Sequence, residues 1–249
     1  MSKHRLVSHS KGNIPSLDKW MKFQVLKAAK KLEPFLPATK IFSEQGLWNF
    51  IRKYGTVVLK PIRGHSGKGV IHLFPMEEDR YAIQIENHKI ILDGKEATFG
   101  QIEKIIHSRK YMIQRRIDLA EIDTQPFDLR IMVQRSKSHS PWRVTGMMAK
   151  VAEKGYLITN VCTAVLPVKQ AIELSYVRAA STHSLIQKIK KVSLWAAKQL
   201  GSTYPRQNRI GLDIGVDAEG NVWIIEANFH PCMRSYRLMK RANAPSSLR

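Results

Sequence analysis

Two runs of β-branched and aliphatic residues, at 56–60 and 70–74, stand on either side of a short glycine-rich segment. Such runs predict buried strands, and a short connection with glycines predicts that the strands pair as a hairpin. A lone hairpin is only marginally stable in water, so the chain must build a larger sheet around this pair. The fold therefore has to accommodate an antiparallel hairpin whose loop is rich in glycine.

The loop of this early hairpin carries residue types that bind phosphate. Lys60 ends the first strand. The loop then holds three glycines, a serine and a lysine: Gly64, Gly67, Gly69, Ser66 and Lys68. Glycine lets backbone N–H groups approach phosphate oxygens, and lysine neutralises their charge. A P-loop is excluded, because it needs Ser or Thr after its lysine and enters a helix. A phosphate clamp and an ordinary hairpin turn with basic tips both remain open.

A second hairpin is predicted near the C-terminal end, with strands at 210–216 and 221–227 and the turn at 217–220. Asp213 lies on the first strand, and Glu226 and Asn228 are two residues apart on the second, which places them on one face. A tight turn brings Asp213 across from that face. Two carboxylates and an amide oxygen are hard ligands suited to Mg²⁺. A hairpin that exposes acids only for solubility is the alternative interpretation.

The rest of the sequence mixes strands and helices without regular βαβ alternation, which favours an α+β fold over a doubly wound sheet. Helical spacing predicts one helix at 16–32, with Ser16 as N-cap, and a long one at 174–200. Strands at 127–134 and 142–150 are expected to pair. No apolar run reaches the roughly 18 residues of a membrane span, and no secretory leader is recognisable. We therefore expect a cytoplasmic protein without membrane contact.

The composition has one unusual feature, a formal net charge of +21 from 41 basic and 20 acidic residues. A solvated basic surface, an anionic substrate and a polyanion such as nucleic acid are all compatible with that charge. The five tryptophans fall on apolar faces, where they are more often core residues than stacking platforms for bases. A nucleic-acid partner is therefore disfavoured.

Taken together and in this order, the motifs resemble the ATP-grasp superfamily, and most closely the YheC/YheD family of endospore coat-associated proteins. The resemblance covers about residues 11–241. It rests on five stretches of the sequence: Asp18-Lys19-Trp20, LPAT at 36–39, VVLKPIRGHSGKG at 57–69, FDLR at 127–130 and DIGVDAEGNVWIIEAN at 213–228.

The resemblance implies an ATP-grasp fold of two α+β lobes with the nucleotide between them, and an N-terminal pre-ATP-grasp domain that is absent or vestigial. The whole chain, 1–249, would be one ATP-grasp domain. Residues 40–115 would form the smaller lobe with the glycine-rich lid, and residues 1–39 and 116–249 the larger lobe with the metal site.

The resemblance also assigns site residues. Lys19 and Lys60 resemble the lysines that contact nucleotide phosphates. The lid over the phosphates would consist of Arg63, Gly64, His65, Ser66, Gly67, Lys68 and Gly69. The hinge that recognises adenine would consist of Gln114, Arg115, Arg116 and Ile117. The Mg²⁺ ligands would be Asp213, Glu226 and Asn228. Arg130 and Lys150 resemble the basic groups that face the transferring phosphate.

The function implied is that of an Mg²⁺-ATP-dependent carboxylate–amine ligase acting through an acyl phosphate on an unidentified carboxylate and amine, and the basic charge is compatible with an anionic substrate. Residues 159–161 resemble a motif that continues into a glycine pair in related ligases, whereas here it continues as Cys162-Thr163-Ala164-Val165. A nucleotide-binding protein without turnover, associated with the forming spore coat and its proteins, is therefore the alternative.

Overall fold

The early hairpin lies inside a six-stranded antiparallel sheet, the small sheet. The computed structural model describes residues 18–64, 67–159 and 161–231. The strands occur in the order β1-β6-β2-β3-β4-β5. Their bounds are β1 Thr39–Ile41, β2 Val57–Pro61, β3 Ile71–Pro75, β4 Arg80–Ile85, β5 His88–Asp93 and β6 Tyr111–Arg115. Two helices, α2 (Glu44–Tyr54) and α3 (Lys95–Ile106), pack on one face of this sheet and enclose an apolar core.

The late hairpin belongs to a second antiparallel sheet, the large sheet, with the order β10-β9-β8-β11-β12 and the short β7 paired to β8. The bounds are β7 Glu121–Ile122, β8 Gln125–Gln134, β9 Arg143–Ala152, β10 Cys162–Leu166, β11 Arg209–Val216 and β12 Val222–Asn228. Alternate residues of β8 such as Phe127, Leu129 and Ile131 are buried in the core. Asp128 and Arg130 therefore face the other way.

Three helices cover the apolar face of the large sheet: α1 (Lys19–Lys27), α4 (Val168–Leu174) and α5 (Thr182–Thr203). A 3-10 helix, Lys30–Phe35, follows α1. In α5, Leu185, Ile189, Val192, Ala196 and Leu200 recur at helical spacing and are buried against the sheet. The opposite face of the large sheet is left free to line a site.

The α+β prediction is confirmed, because both sheets are antiparallel and all three predicted hairpins form. Two helix predictions are wrong in extent. The helix predicted at 16–32 begins at Lys19, where the Asp18 carboxylate accepts from the Met21 N–H, and ends at Lys27. Its last part fails because Ala29 adopts an extended conformation. Ser16 lies outside the described residues.

The helix predicted at 174–200 begins only at Thr182, because α4 ends at Leu174 and residues 175–181 leave the helical path. In this segment the Arg178 N–H donates to the carbonyl of Ala218 in the turn of the late hairpin, at 2.7 Å. The chain re-enters a helix at Thr182, where the Ser181 hydroxyl accepts from the Ser184 N–H. A tertiary contact and a local cap thus override a continuous amphipathic pattern.

Candidate functional site

The two predicted hairpins meet at one cavity of about 460 Å³ between the sheets. The small sheet and its loop contribute Lys60, Gly67 and Val70, and Lys19 from α1 also lines the cavity. Charged and amide side chains of the large sheet line its other wall: Asp128, Arg130, Lys150, Asp213, Glu226 and Asn228. Residues far apart in sequence, such as Lys60 and Glu226, therefore border a single space.

Asp213 is the most heavily engaged carboxylate in the cavity. The Arg130 guanidinium binds it in a forked pair, with Nε 2.7 Å from Oδ1 and the second nitrogen 3.0 Å from Oδ2. Lys150 Nζ lies 3.6 Å from Oδ1, and Asn228 donates its amide N–H to Oδ2 at 3.0 Å. Burial raises the pKa of Asp213, but the charges of Lys150 and Arg130 outweigh it and hold that pKa below the ordinary value. The carboxylate is ionised at neutral pH.

Asp128 and Thr159 join Lys150 in a buried network that the sequence analysis did not assign. Lys150 Nζ lies 2.9 Å from Asp128 Oδ1 and donates to Thr159 Oγ1 at 3.0 Å, and the Thr159 hydroxyl donates to Asp128. Burial lowers the pKa of Lys150, but Asp213 and Asp128 raise it above its ordinary value. The alternation of β8, which places Asp128 on the face of Arg130, was the signal that could have found Asp128.

Lys19 holds the other carboxylate of the late hairpin. Its Nζ lies 2.7 Å from Glu226 Oε2, and the exposed fractions of the two side chains are 7% and 22%. A second buried cation, Lys22, lies beside this pair, and its Nζ donates to the carbonyl of Ala227, the residue after Glu226. Burial lowers the pKa of Lys22. Lys22 was not assigned from the sequence.

Lys60 is bound on the small sheet by a chain of polar side chains. Its Nζ donates to Gln114 Oε1 at 2.6 Å, and Gln114 Nε2 donates to Thr39 Oγ1 at 2.9 Å. Burial lowers the pKa of Lys60 to about 8, despite the opposing effect of the Glu226 charge. Lys60 is therefore a cation at neutral pH that loses its proton in mildly alkaline solution.

The glycine loop is anchored to the small sheet at its Gly69 end. Gly67 and Gly69 adopt positive φ angles of 67° and 76°, a region that favours glycine. The Tyr111 hydroxyl donates to the Gly69 carbonyl at 2.9 Å. Arg63, Gly64 and Lys68 are exposed outside the cavity lining. His65 and Ser66 lie outside the described residues.

The predicted hinge lies beside the cavity rather than in its wall, and Gln114 is connected to the wall only by its hydrogen bond to Lys60. Arg115 is exposed, and its guanidinium stacks on the rings of Tyr54 and Trp223. Arg116 and Ile117 line a smaller space of about 50 Å³. Leu119 and Leu157 border both spaces, so this smaller space adjoins the main cavity.

The chemistry of the late hairpin fits a hard divalent cation. Asp213 and Glu226 are direct partners on β11 and β12, and both line the cavity with Asn228. Within the described part of the chain, no three His, Cys, Asp or Glu side chains form a cluster that would enclose a metal. Two carboxylates and one amide oxygen suit Mg²⁺, because that ion keeps several waters and takes the remaining ligands from phosphate.

Comparison with known proteins identifies the family. Residues 11–248 match the family described as "YheC/D like ATP-grasp". The chain belongs to the YheC/D-like ATP-grasp family. It is 26% identical over 220 residues to the endospore coat-associated protein YheD of Bacillus subtilis (strain 168), a match that covers 86% of this chain and 48% of that protein. The resemblance read from the sequence is thereby confirmed.

Solved structures of ATP-grasp enzymes share the fold of this YheC/D-like chain. The ADP complex of purK, an N5-carboxyaminoimidazole ribonucleotide synthetase, superposes with a TM-score of 0.55 at 14% identity, over 87% of this chain and 45% of that one. An L-amino acid ligase from Bacillus licheniformis gives 0.54 at 13% identity, over 91% and 44%. The YheC/D-like chain spans about half the length of these proteins. No helix of the described residues is long and apolar enough to cross a membrane.

Proposed function

We propose that the chain binds Mg²⁺-ATP in the cavity between the sheets and uses it to join a carboxylate to an amine. The observation that carries this proposal is the convergence of Lys19 and Lys60 with Asp213, Glu226 and Asn228 around one space. The whole chain would act as one ATP-grasp domain, with a smaller lobe at 40–115 and a larger lobe at 1–39 and 116–249. Both lobes supply part of the cavity wall.

In this proposal the lysines bind phosphate and the late hairpin binds the metal. In the free chain Lys60 donates to the neutral amide of Gln114, and Lys19 donates to the carboxylate of Glu226. Each lysine would exchange that partner for a phosphate oxygen. Asp213, Glu226 and Asn228 would hold magnesium, which neutralises the β- and γ-phosphate charge when bound. Residues 63–69 would cover the phosphates, and residues 114–117 would bind the adenine.

The reaction would proceed through an acyl phosphate. An oxygen of the substrate carboxylate attacks the γ-phosphorus, the bond to the bridging oxygen breaks, and ADP leaves with the electron pair. The amine then attacks the acyl carbon, inorganic phosphate leaves, and the amine loses a proton to solvent. Arg130 and Lys150 face the cavity and would stabilise the charge on the transferring group, with Arg130 oriented by Asp213 and Lys150 by Asp128.

A nucleotide-binding protein without turnover is the second candidate function. Two observations favour it. The chain is similar to a coat-associated protein. In addition, β10 begins at Cys162, at the point where the corresponding motif of related ligases continues into a glycine pair. In this case the chain would bind ATP in the cytoplasm and associate with proteins of the forming spore coat. The basic charge would serve that association or an anionic substrate rather than nucleic acid.

An isotope-transfer assay tests the ligase proposal. The protein is incubated with Mg²⁺-ATP, an amine pool, and amino acids or peptides carrying ¹⁸O in their carboxylates. ADP release that requires both pools, with ¹⁸O appearing in the phosphate, is expected, because the acyl phosphate passes one carboxylate oxygen to phosphorus. Arg130→Gln should slow ADP release about 100-fold or more. Arg52→Gln, the same change at an exposed site on α2, should leave the rate unchanged.

Two results would overturn the proposal in different ways. ATP binding without ADP release or ¹⁸O transfer for any pool would favour the non-catalytic alternative. Failure to bind ATP at all would overturn both candidate functions.

A further inference from the structure

One row of side chains crosses the small sheet on the face that looks toward the cavity. Directly paired Cα positions on adjacent strands connect Gln84, His72, Val58, Gln114 and Thr39. Partners in register share a face of the sheet. Lys60, two residues after Val58 on β2, shares that face and lines the cavity. The row therefore belongs to the cavity side, whereas the other face carries the apolar core.

Three of the four polar members of this row have hydrogen-bond partners. Gln84 donates to the carbonyl of Gly155 at 3.0 Å, Gln114 links Lys60 to Thr39, and Thr39 donates to the carbonyl of Pro37 at 2.8 Å.

His72 is the exception. It is 4% exposed, and neither of its ring nitrogens has a partner among the described residues. A buried polar group left without a hydrogen-bond partner destabilises the folded chain, so such a group calls for an explanation.

The groups around His72 determine its charge, and two of them form a chain of ring contacts from His72 to the predicted hinge. Its ring stacks on Phe74 with centroids 6.4 Å apart, and the Arg116 guanidinium lies 5.3 Å from the Phe74 centroid. Burial, followed by the charges of Arg116 and Lys60, lowers the pKa of His72 to about 3. The imidazole is therefore neutral at physiological pH, with one nitrogen as a donor and the other as an acceptor.

We propose that His72 is a specificity-determining residue that hydrogen-bonds the base of the bound nucleotide. This inference rests on the proposed binding of ATP. A neutral imidazole can donate one hydrogen bond through its N–H or accept one through its other nitrogen, and adenine offers an amino donor and ring-nitrogen acceptors for either bond. It suits phosphate poorly, because a neutral ring adds no positive charge, whereas Lys60 supplies one nearby. The stack of Phe74 and Arg116 connects His72 to the hinge residues assigned to adenine.

A comparison of two ligands separates base recognition from phosphate binding. Dissociation constants for ATP and for inorganic tripolyphosphate, which has no base, are measured by calorimetry with the full chain. The variants are His72→Phe and His72→Leu, which remove both nitrogens, and His72→Gln, which restores one donor and one acceptor. His88→Phe makes the same change at an exposed position of β5 in the same sheet and serves as the control.

We expect the Phe and Leu variants to bind ATP about tenfold more weakly and tripolyphosphate as the wild type does. His72→Gln should recover affinity for ATP to within about threefold of wild type, and His88→Phe should change neither ligand. The melting temperature of free His72→Phe should not fall, because the substitution removes an unpaired buried polar group.

The outcomes distinguish this inference from the function on which it rests. Unchanged ATP affinity in both the Phe and Leu variants would overturn the role of His72 while leaving ATP binding intact. Equal weakening of ATP and tripolyphosphate would overturn it as well, since His72 would then act through Lys60. A wild-type chain that binds tripolyphosphate but not ATP would refute both proposals.

Discussion

Replacing Glu226 by glutamine tests the assignment of the metal site, because it removes one charge and keeps the shape. In the free chain the change leaves Lys19 without the carboxylate that lies 2.7 Å from its Nζ. Loss of a partner costs about 3–5 kcal/mol in a fully buried pair and about 0–1 in an exposed one. Because Glu226 is 22% exposed, we expect about 2 kcal/mol. For a chain of this size that lowers the melting temperature by about 4–8 °C.

Glu226→Gln should weaken the stabilisation of the chain by Mg²⁺-ATP, but it should not weaken the stabilisation by metal-free ATP. At about 100 times its dissociation constant, Mg²⁺-ATP should stabilise the wild type by about 2.7 kcal/mol, or roughly 5–10 °C. If Glu226→Gln binds Mg²⁺-ATP a hundredfold more weakly, the same ligand concentration should stabilise the variant by only about 0.4 kcal/mol, a shift of about 1 °C. Metal-free ATP should stabilise Glu226→Gln at least as well as the wild type, because a carboxylate that repels phosphate is gone and Lys19 is released.

Thermal melting with ATP in Mg²⁺ or in EDTA measures all four shifts. Glu219→Gln makes the identical change at an exposed position in the turn of the same hairpin and should behave as the wild type does. A Glu226→Gln protein that keeps the full magnesium-dependent shift would refute the ligand assignment. Loss of the metal-free shift as well would mean that Glu226 supports the fold of the site rather than the metal.

Two further predictions concern the small sheet. The affinity for ATP should fall by up to about tenfold per pH unit above pH 8, because Lys60, with its pKa lowered to about 8, loses the charge that binds phosphate. Calorimetric titrations of Lys60→Arg should show no such pH dependence. An identical decline in that variant would contradict the assignment of Lys60 to phosphate. Gly69→Ala should destabilise the chain by about 1–3 kcal/mol in thermal melts, because the φ angle of Gly69 is +76° and the new Cβ would lie 2.9 Å from the Tyr111 hydroxyl. The control Gly100→Ala in α3, where the new Cβ would meet open space, should be neutral or stabilising.

The hairpins were predictable because their signals are local. Runs of β-branched and aliphatic residues predicted the strands at 57–61 and 71–75, and the two-residue period of a strand placed Glu226 and Asn228 on one face. The helices were less predictable, because their ends depend on caps and tertiary contacts. Arg178 illustrates this point, since its bond to Ala218 interrupts a pattern that otherwise continues to Leu200.

The site was predictable as a set of residues but not as a set of interactions. Lys60, Arg130, Lys150, Asp213 and Glu226 were assigned from motifs, and all line one cavity. The roles of Asp128 and Thr159 as partners of Lys150 were missed, because their contacts depend on how β8, β9 and the segment after β9 pack together. The hinge residue Arg115 turned out to be exposed, since its guanidinium packs on aromatic rings outside the cavity.

The sequence by itself determined which side chains share a face of each hairpin, because alternation along a strand needs no information from the rest of the chain. It also placed glycine where the backbone adopts positive φ. Only the tertiary structure decided which charges neutralise one another, as in the pair of Lys19 and Glu226, 207 positions apart. It alone left His72 buried without a partner, because burial and hydrogen bonding depend on how the sheets and loops pack.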